Sequence, residues 1–340
     1  MELLNNVSIQ GDPRYINYKF EFFTFPVFLA LVPFTYVIPT TVIVSKICIC
    51  YFKNPSGNRN GTMNPHVFLV IAISQITSIF YMISDYLTTR IPFTGAITSW
   101  CASQQPNHLL KVLFFFSTYF TYTGWIFPFL LTTLRLVSLY YPFNQDELCA
   151  RITQLSIPFI YIWPLFFTFT LFPALGFCRQ ILGPYQFGAI YFWFSGNLFD
   201  IKLIKGLIGN LLFWFILCTT STLMLFIKLE KMKNQRNSAL VQKAELSLSL
   251  TTLSMLFSFI FHFVGGVSIS FRNCFQYYIF QLIFIINPYY TAYFIALRPY
   301  GNDIEFVVVP WIFYSTHPIF KKQSVVADGA SRIGSVQTTF

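Results

Sequence analysis

Residues 22–45 read FFTFPVFLALVPFTYVIPTTVIVS, a stretch without one charged side chain. A helix rises about 1.5 Å per residue and bilayer hydrocarbon is about 30 Å thick, so about 20 apolar residues make one crossing. This stretch is long enough, and six more follow: 67–89, with Asp85 near its far end; 110–134, with Lys111 at its mouth; 154–177, with Pro158, Pro164 and Pro173; then 206–227, 247–269 and 277–297. Backbone polar groups cannot stay unpaired in lipid, so spans are helices or closed barrels. Barrel strands would be alternating segments of about 10 residues. These runs are continuous and about twice that length, and the prolines within them are tolerated as kinks. The expected fold is all-α: a polytopic membrane protein with a seven-helix bundle over 22–298.

Composition agrees. A chain of 340 residues would otherwise suggest two soluble domains, but 55% of it is apolar, 10% is charged and 43 positions are Phe. Soluble domains carry about 25% charged residues. The net charge of +10 raises nucleic acid as a partner, yet the basic residues are scattered between apolar runs, which excludes a nucleic-acid face. Seven cysteines are too few and too dispersed for a disulfide scaffold, and no Cys/His metal spacing occurs. Residues 1–20 contain Asn5, Asn6, Asp12, Arg14 and Lys19 and no apolar core, so the first span is expected to act as a signal-anchor.

Seven spans put the termini on opposite sides, and lysine and arginine favour the cytoplasm. With the N-terminus (1–21) outside and the tail (299–340) inside, fourteen of the 22 basic residues fall on the inner side. The loop 228–243, KLEKMKNQRNSALVQK, contributes most of the bias. The sequon Asn6-Val7-Ser8 makes Asn6 a glycosylation candidate on the outer side. A second sequon, Asn60-Gly61-Thr62, falls inside. Residues 305–314, EFVVVPWIFY, are apolar but short, and are expected to lie at the interface after the seventh helix. From about 323 the chain is rich in Ser, Gly, Gln and Thr and reads as disordered.

Chemistry is nearly absent. No catalytic motif, metal set or cofactor loop occurs, and the histidines are only His66, His108, His262 and His317. An enzyme, a metal and a cofactor are therefore not expected. Asp85 is the one acid within an expected span. It either meets a ligand cation or faces head-group water at the span's end, and the second reading is favoured. His262, in SFIFHFVGG, either faces a ligand or bonds a neighbouring helix; Gly265 and Gly266 beside it permit close packing. Cys101 precedes the third span and Cys178 follows the fourth, both on the outer side where oxidation is permitted. A bridge between them would pin the 178–205 loop across the bundle, but Cys274 shares that side. Cys149 is a weak palmitoylation candidate. Arg135, where the third span ends, suits a cytoplasmic helix terminus and is also a candidate switch residue for a partner, together with Lys228, Lys231, Lys233 and Arg236. Asn287-Pro288 marks a kink in the seventh span.

These features resemble the G-protein-coupled receptor architecture, with departures from its rhodopsin-like motifs: Leu134 and Leu136 flank the arginine, and Thr291 stands where that motif has tyrosine. The stretches GDPRYINYKFEFFT (11–24), RIPFTGAITSWCASQQPNHLLK (90–111), YYPFNQDELC (140–149), PALGFCRQILGPYQFGAIYF (173–192) and NPYYTAYFIALRPYGND (287–303) resemble the nematode serpentine receptors of class U. That resemblance spans about 11–322. It implies a chemoreceptor of the plasma membrane, expected in sensory neurons, that takes a small-molecule cue and signals through a heterotrimeric G protein. The alternative is a polytopic transporter or channel.

Overall fold

The computed structural model describes residues 8–53, 63–181, 188–196, 203–232, 239–274 and 289–320, with the side chains of 203–205, 239–241, 261–274, 289–298 and 302 outside the description. Five helices among the described residues are long and apolar enough to cross a membrane: α1 Phe25–Lys53, α2 Pro65–Phe93, α3 His108–Tyr140, α4 Gln145–Leu171 and one over Gly206–Met232. This last helix, α5, begins at Leu203. Two further long helices are α6, Ala239–Cys274, and α7, Tyr289–Thr316.

The helix starts are written locally. Asn64 accepts a hydrogen bond from the His66 amide with Pro65 in the first helical position, and Asn107 accepts from the Leu110 amide at 3.0 Å. Both satisfy amides that have no partner within the helix. Interior polar residues are also internally satisfied. The hydroxyls of Thr77, Ser78, Thr123, Thr132, Thr251 and Thr252 each donate to the carbonyl four residues earlier, which is how threonine and serine persist in an apolar span.

Helix α3 runs through the middle, touching α2, α4, α5 and α6, and α7 sits against α1, α2 and α6. One continuous core joins Phe68 and Ile71 of α2, Leu131 and Leu134 of α3, Trp214 of α5, Phe259 of α6 and Val309 and Phe313 of α7. Indole donors stitch neighbours together: Trp163 and Trp214 both donate to Asn210 Oδ1, and Trp311 donates to Thr40. The outward residues are just as apolar. Phe28, Leu155, Phe166 and Phe172 are exposed, which suits a lipid-facing belt.

Three differences from the sequence reading appear. The fourth span was expected to run to 177, but α4 ends at Leu171 and a strand begins at Leu175. That strand, β1 (Leu175–Gln180), pairs antiparallel with β2 (Ile190–Ser195), Leu175 opposite Ser195 and Gln180 opposite Ile190. The hairpin lies in a segment expected to be a loop, and its apolar residues fill a cap rather than a span. Finally, the seventh span was expected at 277–297, with 305–314 at the interface. Helix α7 instead continues through Arg298, Pro299 and Asp303 to Thr316, with Phe306, Val309 and Phe313 buried in the bundle. Residues 277–288 lie outside the described residues.

Candidate functional site

The bundle has two chemically distinct ends. At one end the hairpin forms a cap. Cys101, in the short helix Thr98–Ser103, is disulfide-bonded to Cys178 of β1, with Cα atoms 6.1 Å apart. The start of α3 is laced to the same strand: the Asn107 and Gly176 amides each donate to the other's carbonyl at 3.0 Å. Only glycine fits at 176, because a Cβ there would collide with the backbone of Leu110 and Lys111. The N-terminal segment folds over this layer. Ile9 donates to the Cys178 carbonyl, Gly11 donates to Ala102, and Ser99 donates to Ile16. Ile9, Tyr15, Cys101, Leu110, Ile190 and Phe192 make a small core of their own. On the surface of this layer Asp12 accepts from Arg14, whose hydrogen bond holds that carboxyl below its usual pKa.

Beneath the cap lies a buried ion cluster. Near the end of α2, Tyr86–Arg90 is a π-helical turn, with the Ile91 amide bonded to the Tyr86 carbonyl. In a regular α-helix residues five apart point about 140° away from each other. The wider turn brings them over one another, so Arg90 Nε reaches Asp85 Oδ2 at 2.7 Å. The rest of the guanidinium forks onto Asp303 of α7, NH2 to Oδ1 at 2.6 Å and NH1 to Oδ2 at 3.0 Å, and NH2 also donates to the Pro299 carbonyl. Tyr36 of α1 donates its hydroxyl to Asp303, and the rings of Tyr86 and Tyr300 flank the guanidinium. Arg90, Asp85 and Asp303 are each only 4% exposed. Arg90 therefore ties α2 to α7, and Asp303 in turn ties in α1 through Tyr36.

Deeper in the bundle, a cavity of about 30 Å³ opens between α2, α3 and α7. Its walls include Thr77, Ser78 and Tyr81, then Thr121 and Trp125, then Glu305 and Phe306. Glu305 Oε1 is buried and has no hydrogen-bond partner among the described residues.

The opposite end is held by Arg135. Its NH1 donates to Thr252 at 2.8 Å, and its NH2 donates to Glu245 and Ser249, both at 3.0 Å. Those three acceptors sit at i, i+4 and i+7, one face of α6. Arg135 is 3% exposed on its side chain and Glu245 26%, so the arginine clasps α3 to α6 rather than facing water. Thr316, where α7 ends, donates to Ser247 beside the clasp.

The candidates read from sequence fall as follows. Asp85 is buried in the ion cluster, not turned to head-group water. Helix α6 contains position 262, but the His262 side chain is outside the description. Cys149 is buried, its thiol directed at the Leu134 carbonyl, and a lipid-acylating enzyme could not reach it. Lys228 lies over the Tyr140 ring, 4.3 Å from its centroid, and Lys231 is exposed. Asn6, Lys233, Arg236, Asn287 and Pro288 lie outside the described residues. The sequence reading passed over Arg90, Asp303, Tyr36, Glu245 and Glu305. Arg90 looked like loop and Asp303 like tail, so nothing brought them together. Glu245 stands just before the sixth apolar run, in ELSLSLTT, where its spacing to Ser249 and Thr252 is visible.

Comparison with known proteins agrees with this architecture. Residues 9–323 match the family described as serpentine type 7TM GPCR chemoreceptor Sru. The chain is 35% identical over 258 residues to serpentine receptor class U-26 of Caenorhabditis elegans, covering 75% of this chain and 88% of that one. This protein therefore belongs to the Sru family of serpentine seven-transmembrane chemoreceptors, a family of multi-pass plasma-membrane receptors.

Proposed function

We propose that the protein binds a small chemical cue within its bundle and passes the event to a heterotrimeric G protein, with the hairpin cap and N-terminus outside the cell and the Arg135 end inside. The carrying observation is the clasp between Arg135 and Glu245, Ser249 and Thr252. A receptor needs two packings of the same helices, and a ligand shifts them only by binding one better than the other. The clasp supplies a resting packing in which α6 is held against α3, and breaking it frees the face a partner would enter. The charge bias supports this orientation. Moving Arg298 to the cap end, where α7 carries it, still leaves thirteen of the 22 basic residues on the proposed inner side.

The test is Glu245→Gln in cells, with second-messenger output read without any added ligand. Loss of the carboxylate removes the charge-assisted bond, which contributes about 1.5–3 kcal/mol, and basal output is expected to rise several-fold. Basal output unchanged at equal surface expression would count against the clasp as a switch. Epitope tags at both ends, read in unpermeabilised cells, check the orientation: only the N-terminal tag is expected to be accessible.

The buried Arg90 cluster favours a second reading, since transporters place charges inside the membrane along their pathway. Here the guanidinium makes four hydrogen bonds, to Asp85, Asp303 and the Pro299 carbonyl, an arrangement that ties helices rather than waiting for a solute. Ion or solute flux through the purified protein in liposomes would restore the transporter reading.

A further inference from the structure

We propose that the cavity between α2, α3 and α7 binds a primary ammonium group, with Glu305 as its counter-ion. The lining offers acceptors and aromatic faces. The hydroxyl protons of Thr77, Ser78 and Thr121 are already committed to the carbonyls of Ile73, Ser74 and Ser117, so these groups offer an occupant oxygen lone pairs, Thr77 Oγ1 sharing its own with the Tyr161 hydroxyl at 3.1 Å. Glu305 adds a carboxylate oxygen with no partner among the described residues. Among the described residues no basic side chain lines the cavity and no ion pair includes Glu305. Arg90 is already paired with two other carboxylates, Asp85 and Asp303. An anion would meet the Glu305 carboxylate with no basic side chain among the described lining residues to offset it, although Tyr81 and Trp125 also carry donors. A protonated amine supplies three donors and a charge, and the Trp125 and Phe306 rings beside it suit a cation.

Size narrows the class. A water needs about 10–15 Å³ of such volume, so about 30 Å³ holds two heavy atoms. Methylammonium has two. A larger ligand would place only its ammonium head here. This inference deepens the receptor reading above and rests on it for its biological meaning, but binding is measurable without signalling.

The experiment is equilibrium binding of radiolabelled methylammonium to the purified full-length chain in lipid nanodiscs. Saturable binding is expected, and Glu305→Gln, which keeps the shape and removes the charge, is expected to weaken it at least tenfold. Gly124→Val offers an independent route. Gly124 lines the cavity, and a Cβ there meets nothing within 4 Å, so valine is expected to fill the space and abolish binding without collision. Tetramethylammonium, with no N–H and too much bulk, is expected not to compete. Absence of saturable binding by a wild-type protein that unfolds cooperatively would overturn the proposal, as would wild-type affinity in either variant. Full displacement by an equal concentration of sodium would overturn it in favour of an inorganic-cation site. Intact binding with no G-protein response would count against the receptor reading alone.

Discussion

At the scale of single residues, Arg90 decides the most. It has Asp85 and Asp303 on either side and sits in a region where water is scarce. Buried ion pairs are weak evidence of net stabilisation, because desolvation offsets the attraction, but breaking one strands the remaining charge. Arg90→Ala leaves two carboxylates facing each other and is expected to cost about 3–5 kcal/mol, read as a drop in the thermal unfolding midpoint of the purified protein. Replacing all three charged residues with apolar ones of similar size is expected to cost far less. Tyr36→Phe removes one donor to Asp303 and is expected to cost about 1.5–3 kcal/mol. An Arg90→Ala protein that unfolds at the wild-type temperature would mean that the cluster does not hold the helices together. This cluster also marks the limit of what the sequence discloses. Asp85 is conspicuous because an acid in an apolar run is costly. Its partners are not conspicuous, because Arg90 follows the run's end and Asp303 lies 213 positions further along the chain. Pairing across that separation is a property of the tertiary fold alone.

At the scale of elements, the apolar runs were legible and their ends were not. All but the first three residues of the run 22–45 sit inside α1, and 206–227 sits inside α5, because a span's middle has only one way to satisfy lipid. Ends obey other rules. Arg298 and Asp303 read as the exit from the membrane, yet α7 carries both onward because Arg90 neutralises Asp303 in place. The hairpin was equally hidden. AIYFWF lies in a segment that reads as an outer loop, and what makes it a strand is pairing with LGFCRQ and a seat on α3. That seat makes the element fragile at one position. Gly176→Ala would drive a methyl into the backbone of Leu110 and Lys111, and overpacking of this kind costs about 1–3 kcal/mol. The cap is expected to loosen while the bundle stays folded. Replacing both Cys101 and Cys178 by serine reopens a 77-residue loop, with an expected cost of about 2–5 kcal/mol. Limited proteolysis of 175–195 reads both effects. A Gly176→Ala hairpin as resistant as wild type would mean that the cap is not seated through this contact.

At the scale of the molecule, a stapled, hairpin-covered end and a clasped, basic end are joined by one core. Their difference suits a device that receives on one side and reports on the other. The proposed reporting face contains Arg135, the end of α3 at Tyr140 and the end of α5, where Lys228 rests on the Tyr140 ring and Lys231 is exposed. Charges at the rim of an interface act mainly on association rate and on salt dependence, while clasped charges act on the equilibrium between packings. The two roles can be separated. In a Glu245→Gln background, with the clasp already weakened, Lys228→Glu, Lys231→Glu and Lys233→Glu together are expected to slow nucleotide exchange on a reconstituted G protein by about tenfold at low salt. The deficit is expected to shrink as ionic strength rises and screening shortens the reach of each charge. Surface expression is expected to hold, since among these only Lys228 makes a described contact, a cation–π approach contributing about 0.5–1 kcal/mol at an exposed site. Exchange that is equally fast with and without the reversed charges at every salt concentration would move the G protein away from the end of α5. It would leave the clasp, with its own basal-output test, as a separate question.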